Sequence, residues 1–456
     1  MLDDMKHLIE LDKEHTLLSH IGAVLGWDQE TYLPERGIEE RAEQIAFMEG
    51  LSHEKAVNPE IGKMLDNMEA DEKIEAIEKA YVRVMRREYD KETKLPSGLV
   101  TEMARQTSLS QAAWVQARKD NDFARFAPHL QKMIDLNLEM ARNLNPTAKP
   151  YDVLLDLYEF GSTEESIAAV FSMLKSDLEN VLKKIRSRPQ VDDSFLHKKV
   201  SQAAQEKMSG YIMDVIGFDR TRGRLDKTAH PFTTTLGRDD VRITTRYVED
   251  FFPSSIFSTV HESGHAFYEM GIDPHPDFRG TRLADAASMA VHESQSRMWE
   301  NIIGRSAFFW KKHYKAVAAL SEGALDGVSL DAFVRAINKV ETSLIRTEAD
   351  EVTYGLHIIA RFELEAALMR GSLAVADLPA AWNAKIKELF DLDVPDNARG
   401  CLQDVHWSMG AFGYFPSYAL GNLYAAQFWT TMKGEIPDLE KRIEEGDSAA
   451  VLAWLR

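Results

Sequence analysis

Apolar residues near the start of the chain recur at Met5, Leu8, Ile9, Leu17, Leu18, Ile21, Val24 and Leu25, a three-to-four spacing that predicts an amphipathic helix over 4–25. The run Gly26-Trp27-Asp28-Gln29-Glu30-Thr31 is expected to break that helix before Pro34. Helices are predicted again over 38–51, 71–89, 97–117 and 129–144, the second of these a solvated face mixing Glu, Lys and Arg. Another opens at Ser162-Thr163-Glu164-Glu165, which reads as a capping box, and runs to Ile185. No period of 20 to 50 residues repeats, so a solenoid is excluded.

The pattern changes between His230 and Tyr247. Phe232-Thr233-Thr234-Thr235 and Val241-Arg242-Ile243-Thr244-Thr245-Arg246 are β-branched and alternating, with Leu236-Gly237-Arg238-Asp239 between them, and predict a hairpin. Such a ribbon either serves structure alone or lines a cleft and holds an extended peptide by main-chain bonds. Helical patterning resumes over 254–270, with Ser254 as N-cap and Gly271 as stop, then over 288–303 and 330–369. In the last of these Arg346 and Asp350 are four apart, the spacing of a plain surface ion pair. From Gly400 to Gly421 the chain is rich in glycine and aromatic residues and reads as a shaped loop or cleft wall.

The 254–270 helix carries His261-Glu262-Ser263-Gly264-His265. Residues four apart share a helix face, so two imidazoles reach one point while Glu262 lies beside them, placed to activate a water without ligating the metal. A hydrolytic zinc site needs a third protein ligand and one open position. The continuation His-x-x-Gly-x-x-His is absent, since Tyr268 and Gly271 occupy those places. A carboxylate from the next helix is the common alternative. Glu293, in His292-Glu293-Ser294-Gln295, is the candidate, with His292 and Glu269 as weaker ones. Without a third ligand the pair would be two histidines on a polar helix face.

Length alone suggests about three domains for 456 residues, but no Ser/Gly-rich or Pro-rich linker divides them, which favours one cooperative body. The net charge of −19, from 54 basic and 73 acidic residues, has the wrong sign for a nucleic-acid footprint. Met1-Leu2-Asp3-Asp4-Met5 has neither the basic start nor the apolar core of a secretory signal, and no apolar run approaches a membrane span. With a single cysteine, Cys401, no internal disulfide forms, and the expected location is the cytoplasm.

Taken in order, several separated motifs resemble the carboxypeptidase Taq family of metallocarboxypeptidases. They are Gly26–Thr31, His230-Pro231-Phe232, Asp240-Val241-Arg242-Ile243-Thr244, the His261–His265 pair, His292–Gln295, Ile345-Arg346-Thr347-Glu348-Ala349-Asp350, and Gly400-Cys401-Leu402-Gln403-Asp404-Val405-His406-Trp407. The resemblance covers nearly the whole chain. It implies one mostly α domain over 1–456, a helical zincin body with a deep groove like neurolysin and angiotensin-converting enzyme, and a small β-hairpin or sheet beside the metal. Residues 1–228 would form a groove wall, and 229–421 the metal and substrate site. It also implies that relatives continue some tens of residues beyond the position of Arg456.

The activity so implied is removal of single amino acids from peptides with a free C-terminus, by a homodimer using zinc, with cobalt nearly as suitable. His261, His265 and Glu293 would be ligands and Glu262 the general base. His406 and Tyr418, in a segment the family places beside the groove, are the candidate oxyanion donors. A carboxypeptidase must hold an α-carboxylate. Arg346 is first choice and Arg242 second, with His230, Gln403 and Asp350 as further substrate-side candidates. Two other readings stay open: a zinc oligopeptidase cutting internally, and a zinc-stabilised helical binding protein without turnover.

Overall fold

The computed structural model describes residues 3–456, so Met1 and Leu2 of the N-terminal stretch lie outside it. Among the described residues, nine α-helices precede the first strand: α1 (Asp3–Thr31), α2 (Ile38–Ala56), α3 (Pro59–Glu69), α4 (Ala76–Lys94), α5 (Ser97–Asp120), α6 (Phe123–Leu144), α7 (Pro150–Asp156), α8 (Glu164–Arg186) and α9 (Gln202–Ile216). Three strands follow: β1 (Gly223–Lys227), β2 (Thr233–Thr235) and β3 (Val241–Thr245). The remainder is again helical: α10 (Pro253–Gly271), α11 (Met289–Arg297), α12 (Ala307–Leu320), α13 (Leu330–Ile337), α14 (Glu351–Met369), α15 (Leu378–Phe390), α16 (Phe415–Glu435), α17 (Leu439–Glu444) and α18 (Ala449–Leu455). Among the described residues no helix is long and apolar enough to cross a membrane.

Most helix ends obey local chemistry. Thr163 caps α8 through the Ser166 amide, and Ser166 returns the bond to the Thr163 amide, so a capping box is present but one residue later than expected, on Thr163 and Ser166 rather than Ser162 and Glu165. Ser288 caps α11 by accepting from the Val291 amide. The metal-motif helix α10 does not have Ser254 as its N-cap: Phe252 is the cap and Pro253 the first helical residue, where a missing N–H costs nothing, so Ser254 lies inside the first turn. Two further sequence expectations fail. Gly26–Thr31 does not interrupt α1, which runs 29 residues, since Trp27 is buried and anchors that last turn. The 330–369 helix is two helices: the chain leaves α13 at Asn338, makes a single 3-10 turn at Arg346–Glu348, and re-enters as α14. Asp350 is the N-cap of α14, accepting from the Val352 and Thr353 amides, so it is a helix start and not one half of an Arg346 ion pair.

The expected hairpin is present, with Thr233 opposite Ile243 and Thr235 opposite Val241. It belongs to a three-stranded sheet, because β1 adds to β3 in parallel, Gly223 opposite Val241 through Lys227 opposite Thr245. The sequence Gly-Arg-Leu-Asp-Lys of β1 lacks the β-branched alternation that marks a strand, and its pairing is entirely tertiary.

Two large apolar cores meet along one helix. The first gathers Phe126, Leu130, Leu154, Phe171, Ile358 and Trp382, and the N-terminal half of α16 joins it through Phe415 and Ala419. The second contains Ile212, Ile243, Val260, Trp299 and Phe333, and the C-terminal half of α16 joins it through Ala425 and Trp429. The helix α11 packs chiefly on α16 and also against α10, which sets it on the seam between the cores.

Candidate metal centre and active site

The inner face of α10 is buried through Ile256, Val260, Phe267 and Met270, which leaves His261 and His265 on the opposite face toward α11. Glu293 of α11 meets them there: its Oε2 lies 3.4 Å from His265 Nε2 and 3.7 Å from His261 Nε2. One donor atom from each of the three residues falls within 4.8 Å of the others. Two nitrogens and one carboxylate oxygen gathered this closely suit a divalent ion with an open coordination position. The approach depends on two glycines. A Cβ on Gly264 would sit 2.6 Å from Ser296 Cα, so the helices cross where α10 has no side chain. On the other side of α11, a Cβ on Gly421 would sit 2.6 Å from Glu293 Cγ.

Each ligand is held by a second layer. His261 Nδ1 donates to Glu300 Oε2 at 2.9 Å, and Glu300 Oε1 accepts from Arg305 Nη2 at 2.9 Å. His265 Nδ1 lies 2.6 Å from His292 Nδ1, and His292 Nε2 lies 2.7 Å from Glu269 Oε1. His292 and Glu269, the weaker ligand candidates, therefore stand behind His265. Arg297 Nε donates to Glu293 Oε1 at 2.6 Å, and Ser296 Oγ to Oε2 at 3.0 Å. Burial opposes charge on Glu293, but Arg297, His261 and His265 outweigh it and hold the carboxyl well below its ordinary range. On His261 burial is likewise outweighed, by Glu293 and Glu300, and the pKa rises. On His265 burial, reinforced by His261 and His292, prevails over its bond to Glu293 and the pKa falls.

Glu262 lies beside the two histidines on the sheet side of the helix, close enough for its charge to act on His265. Thr233 Oγ1, on β2, donates to Glu262 Oε2 at 2.6 Å and reaches its carbonyl at 3.1 Å. The strand therefore fixes the rotamer of the carboxylate beside the ligands.

A second polar cluster lies across Tyr354. Arg297 stacks over the Tyr354 ring at 4.5 Å, and the Tyr354 hydroxyl accepts from Arg346 Nη1 at 3.2 Å. Arg346 donates through Nε and Nη2 to Asp404 Oδ1, both at 2.9 Å, while Arg361 donates to Asp404 Oδ2 at 2.6 Å. Burial opposes charge on Asp404, but the two guanidiniums hold its carboxyl far down, and the cluster keeps one net positive charge. Arg361 is fully buried, whereas the Arg346 side chain keeps 9 % of its exposure. His406 and Tyr418 border this charge: His406 Nε2 is 3.2 Å from Tyr418 Oη, and Arg346 lies 5.2 Å from the Tyr418 ring centre. Burial first and Arg346 second lower the His406 pKa to about 4, so its imidazole is neutral at neutral pH.

Three of the substrate-side candidates have other partners, and the fourth is exposed. Gln403 is buried, with Oε1 accepting from the Arg346 amide and Arg361 and Nε2 donating to the carbonyls of Leu344, Arg399 and Gly400. Asp350 is engaged in capping and in a bond from the Glu341 amide. Arg242 pairs with Asp240 at 2.8 Å and lies 4.3 Å over the Trp27 ring. His230 is exposed in the bend before β2. Sequence reasoning overlooked Glu300, Thr233 and Tyr354. Glu300 was findable on the α-helix expected over 288–303, where seven residues after Glu293 is nearly the same face; in the structure α11 ends at Arg297 and Glu300 lies on the π-helical stretch Met298–Gly304 that continues it. Thr233 and Tyr354 carry no local signal.

Two histidines on one helix, a carboxylate beside them and a glutamate from the next helix define a metallopeptidase centre. Residues 7–456 match the model of the carboxypeptidase Taq (M32) metallopeptidase family, and the chain belongs to that family. It is 41% identical over 464 residues to thermostable carboxypeptidase 1 of Thermus thermophilus, covering 99% of this chain and 90% of the relative. Carboxypeptidase 1 of Bacillus subtilis is 39% identical, with coverage of 99% and 90%. The fold matches the crystal structure of the M32 carboxypeptidase from Deinococcus radiodurans at a TM-score of 0.97, 38% identity, over 100% of this chain and 91% of that one. The chain is thus a metal-dependent carboxypeptidase, a peptide hydrolase, and neither internal cutting nor a purely structural metal is favoured.

Proposed function

We propose that the metal is zinc, held by His261, His265 and Glu293, and that Glu262 is the general base in removing single residues from free peptide C-termini. The observation that carries this reading is the convergence of three ligand atoms within 4.8 Å beside a carboxylate fixed by Thr233. When bound, a divalent ion lowers the pKa of a coordinated water and polarises the scissile carbonyl. Glu262 takes the proton from the attacking water and delivers it to the departing amine, so the carboxylate ends the cycle as it began. The Tyr418 hydroxyl donates toward the developing oxyanion, oriented by the neutral His406 imidazole, whose Nε2 lies 3.2 Å behind it. Arg346 receives the substrate's α-carboxylate, which neutralises the surplus positive charge left by two guanidiniums on Asp404. Gln403 and Asp350 act through Arg346 by shaping its turn, rather than by touching substrate. Arg242 and His230, beside the hairpin, bear on the more distant part of the peptide.

In this reading residues 1–228 form one groove wall, and 229–421 carry every ligand and substrate contact. The enzyme works in the cytoplasm as a homodimer on peptides, with cobalt able to replace zinc. The acidic balance and the single, buried Cys401 support that location, and the family resemblance supports the dimer. Mixed peptides, free or amidated at the C-terminus, should be incubated with zinc-loaded protein and with Glu262→Gln, then read by mass spectrometry. A ladder losing one residue at a time from free C-termini only, absent in the variant, is expected. Internal fragments from both peptide forms would overturn the exopeptidase reading, and intact peptides despite bound zinc would overturn turnover itself.

A further inference from the structure

The two ligand histidines are supported unequally. His261 leans directly on a carboxylate, Glu300, whereas His265 reaches its carboxylate, Glu269, only through a second imidazole. We propose that Glu269 and His292 form a two-step relay whose work is to hold His265 in the one tautomer able to bind the metal. The proposal rests on the metal reading above and extends it to residues that do not ligate.

The hydrogen-bond polarity is forced from the far end. A carboxylate oxygen only accepts, so the 2.7 Å contact between Glu269 Oε1 and His292 Nε2 puts the proton of neutral His292 on Nε2. His292 Nδ1 is then a bare acceptor. The 2.6 Å contact to His265 Nδ1 can be satisfied only if His265 carries its proton there, which leaves the His265 Nε2 lone pair free toward Glu293 and the metal position. With the opposite tautomer His265 would present N–H to the metal and could not bind it. The relay is held in place sterically as well, since His292 lies edge-on to Tyr268, with ring centres 5.3 Å apart. Glu269 and His265 are on the same helix four residues apart, and His292 bridges them from the helix that carries Glu293. The arrangement therefore also ties the two ligand helices together at the metal. His292 and Glu269 are positioning residues: neither touches substrate.

Asparagine can place its side-chain oxygen near where His292 holds Nδ1, whereas phenylalanine keeps the ring and loses the acceptor. Zinc affinity should be measured by chelator competition on His292→Phe, His292→Asn, Glu269→Gln and the His292→Phe/Glu269→Gln double variant, with thermal unfolding of each metal-free protein as the folding control. Outer-shell partners of this kind affect metal affinity by roughly 10–100-fold. His292→Phe should lose affinity in that range while the metal-free melting temperature stays near wild type, and His292→Asn should recover most of the loss. Glu269→Gln should weaken binding alone but add nothing in the Phe background. Wild-type affinity in a folded His292→Phe protein would overturn the relay. Equal losses for Phe and Asn would make His292 a ligand instead, and additive losses in the double variant would show Glu269 acting independently. Zinc binding without turnover would defeat the catalytic reading but leave the relay standing.

Discussion

The closest approach in the metal centre is made by an atom that is missing. Replacing Gly264 by alanine places a methyl group 2.6 Å from Ser296 Cα and 2.7 Å from the Gln295 carbonyl oxygen, both backbone atoms that no rotamer change can move aside. Ordinary contact begins at 3.4 Å, so α10 and α11 must separate by about 0.8 Å at this point. Alanine in a helix gains about 1 kcal/mol over glycine, while overpacking of this kind costs about 1–3 kcal/mol. The net loss of stability in the metal-free protein is therefore small, about 0–2 kcal/mol. The centre is less tolerant, because ligand distances must hold to about 0.2 Å and Glu293 lies one helical turn before Ser296. Zinc affinity should fall at least roughly tenfold, a change of about 1.4 kcal/mol. Chelator competition measures that loss, and urea unfolding of the metal-free protein measures the stability. A Gly264→Ala protein that binds zinc as tightly as wild type would refute the argument that this crossing sets the ligand geometry.

Three further perturbations separate the remaining parts of the site and fold. Thr233→Val removes the hydroxyl that donates to Glu262 at 2.6 Å, and kcat should fall about tenfold with little change in KM, Thr233→Ser restoring it; steady-state kinetics on one dipeptide-blocked substrate decides this. Arg346→Ala should lower kcat/KM on peptides with free C-termini by about 100-fold and leave the weak inhibition by amidated peptides nearly unchanged, equal losses on both contradicting a carboxylate anchor. Burial, helped by Lys312, lowers the His313 pKa to about 4, so the native state resists a proton that the unfolded chain accepts near 6.5. Stability should be full above about pH 6.5 and fall by up to about 3 kcal/mol as pH drops toward 4. His313→Asn should flatten that acid slope in urea titrations of the metal-free protein, and an unchanged slope would assign it to other groups.

The sequence carried the centre because its chemistry is local. His261, Glu262 and His265 fit on a little more than one helical turn, and Glu293 follows a capping serine on the next helix, so a short motif and the need for one more carboxylate pointed to residues whose donor atoms do converge. What the chain did not disclose is set by tertiary contacts. The strand β1 exists only because β3 lies beside it, and Gly26–Thr31 stays helical because Trp27 buries its ring where a glycine-containing polar run suggested a break. Arg346 and Asp350 have the spacing of an ion pair, yet the chain leaves the helix between α13 and α14, so each finds a partner elsewhere: Asp404 for one, the amides of α14 for the other. A four-residue spacing has meaning only where the helix is continuous.

That difference bears on how the substrate side works. Had Arg346 sat on a helix facing Asp350, its charge would have been neutralised by its own neighbour. The 3-10 turn instead delivers it to Asp404, which Arg361 already neutralises from a fully buried position. One carboxylate between two guanidiniums leaves a positive charge that the protein does not balance, next to a neutral His406 and the tyrosines 354 and 418. On the other side of Tyr354, Arg297 and Arg305 are matched by Glu293 and Glu300. On the histidine side each guanidinium is thus paired with a carboxylate, and Glu262 and Glu351 add further acidic groups there, whereas the Arg346 cluster sets two guanidiniums on one carboxylate. A peptide that brings its own negative end completes the balance, whereas an amidated or internal segment leaves the charge unmet in a site of low dielectric. With Arg346 as the carboxylate anchor proposed above, selection for a free C-terminus would follow from where the unbalanced charge lies, and not from the metal chemistry, which would serve either substrate.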